Sequence, residues 1–293
     1  MTLIVWGSFL AFVLAMIGLD LGVFHRRAHV VKLPEALTWT FVWISLALAF
    51  NVLVYFLYAR NWMGWDVDSS PLTGQDAALQ FLTGYVVEKS LSVDNIFVIA
   101  MIFAYFRVPL EMQHRVLFWG ILGAIILRGL MIALGVALIA RFDWILFVFG
   151  TLLVFSAARL LIIRHDNLRP ERNFLLRLAR RLYPVTDDFV GTHFVVRRNN
   201  QLAVTPLALT LLLVESSDVM FAVDSIPAIF AITRDPFIVF TSNIFAILGL
   251  RSLYFALAGL MHRFRFLKMS LVFILAYIGM KMILAHYYPI PVQ

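Results

Sequence analysis

The chain has 293 residues, 62% hydrophobic and 14% charged, with a net charge of +7 and no cysteine. A soluble domain averages about 45–50% apolar and about 25% charged residues, so this is the composition of a polytopic membrane protein. Without cysteine there are no disulfides, thiolate metal sites or dithiol redox chemistry, and a positive balance in such a protein reflects basic cytoplasmic loops rather than nucleic-acid binding.

A membrane-spanning helix needs about 20 mostly apolar residues. Eight segments qualify: 3–24, 36–58, 77–106, 115–138, 142–163, 205–233, 237–260 and 266–288. The expected fold is therefore all-α, a single transmembrane domain over 1–293. MTLIVWG carries no Lys or Arg before its apolar run, so the first helix reads as retained rather than as a signal peptide. One set of alternate loops holds 16 Lys and Arg residues, including Arg26, Arg27, Lys32, Arg107, Arg115 and eight arginines from Arg164 to Arg198; the other holds Arg60, Arg141 and Arg234. The positive-inside bias makes the first set cytoplasmic and places both termini outside.

The longest loop, 164–203, is cytoplasmic on this reading. Within ERNFLLRLARRLYP, Phe174, Leu175, Leu178 and Leu182 lie near one side of a helix, and Arg172, Arg177, Arg180 and Arg181 lie elsewhere. That pattern suits an amphipathic helix at an anionic headgroup surface. HFVVRRNNQLAVTP reads as a hairpin around Asn199-Asn200. A plain solvated connector is the alternative.

Two stretches stand out by their charge. GYVVEKSLSVDNIFVIAMIFAYFRVP, Gly84 to Pro109, carries Glu88, Lys89 and Asp94; LLLVESSDVMFAVDSIPAIFAITRDP, Leu211 to Pro236, carries Glu215, Asp218 and Asp224. Val93-Asp94-Asn95-Ile96 matches Val223-Asp224-Ser225-Ile226. The next helices match as LGAIILRGLMIALG with Arg128 and FAILGLRSLYFALAG with Arg251; Arg159 against Lys281 is a weaker pairing. Helices 3–5 thus repeat as helices 6–8. An offset of three helices turns the second unit over, and inverted repeats with a midplane site are a plan of secondary transporters.

A central Asp costs about 2.5–3.5 kcal/mol on insertion scales, so five unpaired acids would cost roughly 12–17 kcal/mol. Lys89, Arg128 and Arg251 are the cations at hand, and they leave two negative charges, which suits a divalent cation. Glu215 and Asp218 share a helix face, Glu88 and Asp94 lie about 120° apart, and Glu215 and Asp224 lie opposite. Continuous helices could not aim all five at one point. Pro227 frees the carbonyl of Val223, so helix 6 is expected to break near Asp224 and helix 3 near Ser92 to Asn95. The seven histidines all lie in loops or at helix ends. The deep donors are carboxylates with the neutral oxygens of Asn95 and Ser225, a set that suits magnesium, calcium or manganese(II) rather than zinc or copper. The alternative is structural: Glu88 and Glu215 bridging Arg128 and Arg251. Asp20 is expected to face water or a basic loop, and Asn51 to form an interhelical hydrogen bond.

EKSLSVDNIFV and VESSDVMFAVDSIPAIFAIT closely resemble the signature segments of the TerC family of integral membrane proteins, nearest to its bacterial Alx branch, and the likeness extends through FDWILFVFG and TSNIFAILGLRSLYFALAG over most of the chain. The resemblance implies a bacterial inner-membrane protein exporting manganese(II), its intramembrane acids falling on Glu88, Asp94, Glu215, Asp218 and Asp224. Family members usually continue into a ninth hydrophobic helix, whereas this sequence ends at Pro-Ile-Pro-Val-Gln after the eighth.

The leading expectation is a non-enzymatic secondary transporter for a divalent cation, with no catalytic cofactor and with protons as counter-ions, since protonation of a carboxylate weakens cation binding. Three alternatives are a membrane-bound redox modulator, an assembly factor docking through the basic loop, and a tellurium-resistance protein. An acid-lined site repels an oxyanion such as tellurite. No cysteine or dinucleotide-binding glycine loop supports a redox enzyme.

Overall fold

Apolar runs of this length have one stable state away from water, because only a helix satisfies every backbone polar group within its own segment. The computed structural model describes residues 2–22, 33–60, 72–142, 144–162, 173–198, 201–258 and 267–284. Helices occur within all eight hydropathic segments. They are α1 (Thr2–Gly22), α2 (Leu33–Arg60), α3 (Gly74–Phe106), α4 (Leu110–Arg141) and α5 (Ile145–Ile162), then α7 (Pro206–Phe230), α8 (Pro236–Leu248), α9 (Leu250–Ala258) and α10 (Leu267–Leu284). Between α5 and α7 lie the short helix α6 (Phe174–Leu182) and the strands β1 (Val195–Arg198) and β2 (Gln201–Val204). Among the described residues, four helices are long and apolar enough to cross a membrane, and α8 with α9 forms a bent fifth candidate.

Helix ends carry the expected caps. Thr73 accepts from the Asp76 amide before α3; Thr205 precedes Pro206 and accepts from the Ala208 amide before α7; Asp235 accepts from the Phe237 and Ile238 amides before α8. Tyr58 of α2 donates to the other Asp235 oxygen at 2.8 Å, joining α2 to the start of α8.

Three pairings build the centre: α3 on α8, α4 on α7, and α5 on α10. Gly150 and Gly279 let the last pair approach closely, since a Cβ at either would lie 2.9–3.0 Å from the other's carbonyl oxygen. α1 and α2 cover one end of α3 and α8 through an aromatic cluster in which Phe50 and Phe245 are 4.6 Å apart. A second cluster, with Ile102, Phe103, Leu117 and Leu213, closes the other end of α3 against α4 and α7. Outward stripes stay apolar and exposed: Ile126, Leu130 and Leu134 on α4, and Met269, Phe273 and Tyr277 on α10. That is the inverse of a soluble helix and suits a lipid surround.

Two expectations about the backbone are overturned. α3 and α7 run unbroken through their acids. Pro227 lies in the last turn of α7, where its missing donor removes one bond and its fixed φ is compatible with helix. The bend falls instead between α8 and α9, 41° at Gly249. A Cβ on Gly249 would sit 2.9 Å from Lys89 Nζ and 3.1 Å from Trp43 Cβ, so a larger residue at the corner would have to push both aside. Asn51, expected to bond across helices, leaves its Oδ1 buried without a partner. The Asp20 side chain and the whole 164–172 segment lie outside the described residues, as do Asn199 and Asn200.

β1 and β2 pair antiparallel, Val195 opposite Val204 and Arg198 opposite Gln201. The loop is pinned to α4, where Arg115 donates to Thr192 at 2.7 Å and lies over the Phe194 ring at 5.3 Å.

Candidate functional site

The acids of α3 and α7 have the same spacing. Glu88 and Asp94 are six residues apart, as are Asp218 and Asp224. Six residues on an unbroken helix turn the second acid about 120° from the first. The structure uses this rotation to divide the acids between two surroundings.

Glu88 of α3 and Asp218 of α7 meet Arg128 of α4. Its guanidinium, 0% exposed, pairs with Glu88 and with Asp218 Oδ1 at 3.1 Å, and donates to Asn243 Oδ1 of α8 at 3.3 Å. Asn243 in turn donates to the Val239 carbonyl at 3.1 Å, which holds its amide oxygen towards the arginine. Four helices are thereby joined at one buried cation. Leaving either carboxylate unpaired here would be costly, because a buried charge keeps its desolvation penalty when its partner is lost.

Asp94 and Asp224, the later acids of these pairs, line a cavity. Asp94 and Asn95 of α3 and Asp224 and Ser225 of α7 line one small cavity, together with Leu160 of α5 and Leu271 and Leu275 of α10. Asp224 accepts a 2.6 Å hydrogen bond from Ser156 of α5. Ser225 is 3% exposed and its hydroxyl has no hydrogen-bond partner. A buried hydroxyl without a partner bears a desolvation cost that a ligand in the cavity would offset. A second small cavity adjoins the first through Asn95 and Phe221 and is lined by Ser217, Asp218 and Tyr254.

Glu215 stands apart from both groups. Its carboxylate lies against Gly123 of α4, where a Cβ would overlap it, and its Oε2 is buried without a partner. The alternative pairing of Glu215 with Arg251 therefore does not form. Lys89 bonds to no carboxylate either: its ammonium donates to the Ala246 carbonyl at 3.2 Å, just before the bend at Gly249. A cation there complements the negative end of α8.

Of the seven expected ligands, then, Asp94, Asn95, Asp224 and Ser225 share one cavity. Glu88 and Asp218 share Arg128, and Glu215 lies beside Gly123. No group of three or more His, Asp or Glu side chains with metal-binding geometry occurs among the described residues. Ser156 and Asn243 were not singled out from the sequence. Each is a polar residue within an apolar helix, Asn243 beside Thr241 and Ser242, and Ser156 three residues before Arg159, which was the available signal.

The integral membrane protein TerC family matches residues 73–292 of the chain. An "Uncharacterized membrane protein STKORF319" from Myxococcus xanthus is 52% identical over 286 residues, covering 98% of this chain and 85% of that protein. The "Putative membrane-bound redox modulator Alx" of Escherichia coli K12 is 47% identical over 292 residues, covering 99% of this chain and 89% of that protein. An "Uncharacterized membrane protein" of Rickettsia bellii is 39% identical over 286 residues, covering 98% and 90%. No solved structure matches the chain significantly.

Proposed function

The chain belongs to the TerC family of integral membrane proteins, and from that premise we propose that it exports a divalent cation, manganese(II) by preference, across a bacterial inner membrane. It is a secondary transporter and not an enzyme, and protons exchanging on its carboxylates are the counter-ions. Eight spans cross the bilayer with both termini outside. α3–α5 and α7–α10 form two inverted units, α8 with α9 making one bent span.

The observation that carries this reading is the cavity shared by Asp94 and Asp224, one from each repeat. Two carboxylates balance one divalent ion, and Asn95 with the unpartnered Ser225 hydroxyl adds neutral oxygen. Oxygen-only donors suit a hard cation. The packing supports the repeat as well. α3 on α8 and α7 on α4 are the same contact seen from the two units, and α5 on α10 joins equivalent helices.

In the proposed cycle the cation enters from the cytoplasmic side past Glu215 and Asp218 and passes Asn95 into the Asp94–Asp224 cavity. It leaves outside when the two units rock. Arg128 stands in for the cation at Glu88 and Asp218 in the conformation described above. Protonation of the cavity acids favours release. The name of the Escherichia coli relative points to redox modulation; a thiol cannot supply it here, because the chain has no cysteine.

Manganese efflux from vesicles containing Asp94→Asn or Asp224→Asn protein tests the proposal. Both variants should be recovered folded and lose transport, and unchanged efflux in both would contradict it.

A further inference from the structure

The helix α6 leaves a surface that no described part of the chain covers. At 100° per residue, Phe174, Leu175, Leu178 and Leu182 fall in one arc of about 100°, and Arg177, Arg180 and Arg181 in another of similar width. Leu176 is the buried residue of α6, 1% exposed, and α7 is the helix it packs on. The four residues of the apolar arc are instead 67, 40, 39 and 63% exposed, and the helix contains no acid to pair with its arginines.

Its position is fixed by one side chain. Asn173 caps α6, accepting from the Leu175 and Leu176 amides at 2.9 and 3.2 Å, and donates to Ser216 of α7 at 2.8 Å. Ser216 directly follows Glu215. The Ser156–Asp224 bond sets α5 and α7 in register. From it, α5 runs about 9 Å to its end at Ile162, and α7 runs about 12 Å back to Ser216. In the antiparallel arrangement proposed above, α6 therefore starts level with the cytoplasmic end of α5, where a span leaves the hydrocarbon.

We infer that α6 is a docking helix for anionic lipid: its apolar arc sits among acyl chains and its three arginines engage negative headgroups. The inference takes its membrane level from the topology under Proposed function, but its test does not involve transport. An arginine near an anionic surface contributes roughly a fivefold gain, so three give on the order of a hundredfold preference over neutral lipid.

The absence of cysteine allows one clean label. A nitroxide on Leu178→Cys is read in the full chain, reconstituted in vesicles of phosphatidylcholine alone or mixed equally with phosphatidylglycerol. In the mixed vesicles, oxygen should relax the label several-fold more than a water-soluble nickel reagent. That excess should fall in neutral vesicles, at high salt, and with Arg177→Gln, Arg180→Gln and Arg181→Gln combined. Equal nickel access in both vesicles would overturn the inference by showing a solvated helix. So would protection from both reagents, which means a protein covers the face, or lipid exposure indifferent to headgroup charge and salt.

Discussion

Glu88 and Asp218 lie less than two turns from Asp94 and Asp224 on the same helices, yet the two pairs have opposite surroundings. The first pair is closed around Arg128 and Asn243, with Glu88 and the arginine almost wholly buried. The second faces a cavity with a neutral hydroxyl to spare. A carboxylate closed around a buried arginine holds helices together, whereas one that lines a cavity can also be reached by something that moves. The six-residue spacing turns one sequence motif into both.

The largest expected effect breaks the closed half of that comparison. Arg128→Met leaves two carboxylates without their cation, and losing one member of a buried pair costs about 3–5 kcal/mol. The melting temperature in detergent should drop sharply and recover when Glu88→Gln and Asp218→Asn are added. Asp94→Asn and Asp224→Asn should lower melting far less than Arg128→Met, because each keeps the side chain's size and an oxygen acceptor, which at Asp224 still receives Ser156. Lys89→Met comes next. It removes a charged donor from the Ala246 carbonyl, worth about 1.5–3 kcal/mol, and should show as faster hydrogen exchange around Gly249. Gly123→Ala drives a Cβ into the Glu215 carboxylate, an overpacking of about 1–3 kcal/mol that Glu215→Ala should reverse. Ser156→Ala is the mildest for stability, under about 1 kcal/mol at a part-buried site. It frees Asp224, so its effect should appear in manganese affinity, about tenfold weaker by titration.

The helices were legible because an apolar run of twenty residues has one way to bury its backbone. The acids were legible because carboxylates are expensive in such a run. The pairing of Glu88 with Arg128 was one of the two readings the sequence offered, but Asp218 joining it was not legible while α3 and α7 were expected to break, since a break discards the 120° relation between acids six residues apart. Pro227 suggested that break, but so near the end of α7 it disturbs little. The bend at Gly249 lies against Trp43 and Lys89, which reach it from distant parts of the chain. Asn243 and Ser156 gain their roles from the faces they occupy, Asn243 towards Arg128 and Ser156 towards Asp224.

Anomalous diffraction at the manganese edge, from crystals grown with manganese(II), tests the central claim most directly. The account predicts a peak between Asp94 and Asp224, within reach of Asn95 and Ser225. A cavity empty of metal, with both aspartates turned to an arginine or lysine of the protein, would contradict it.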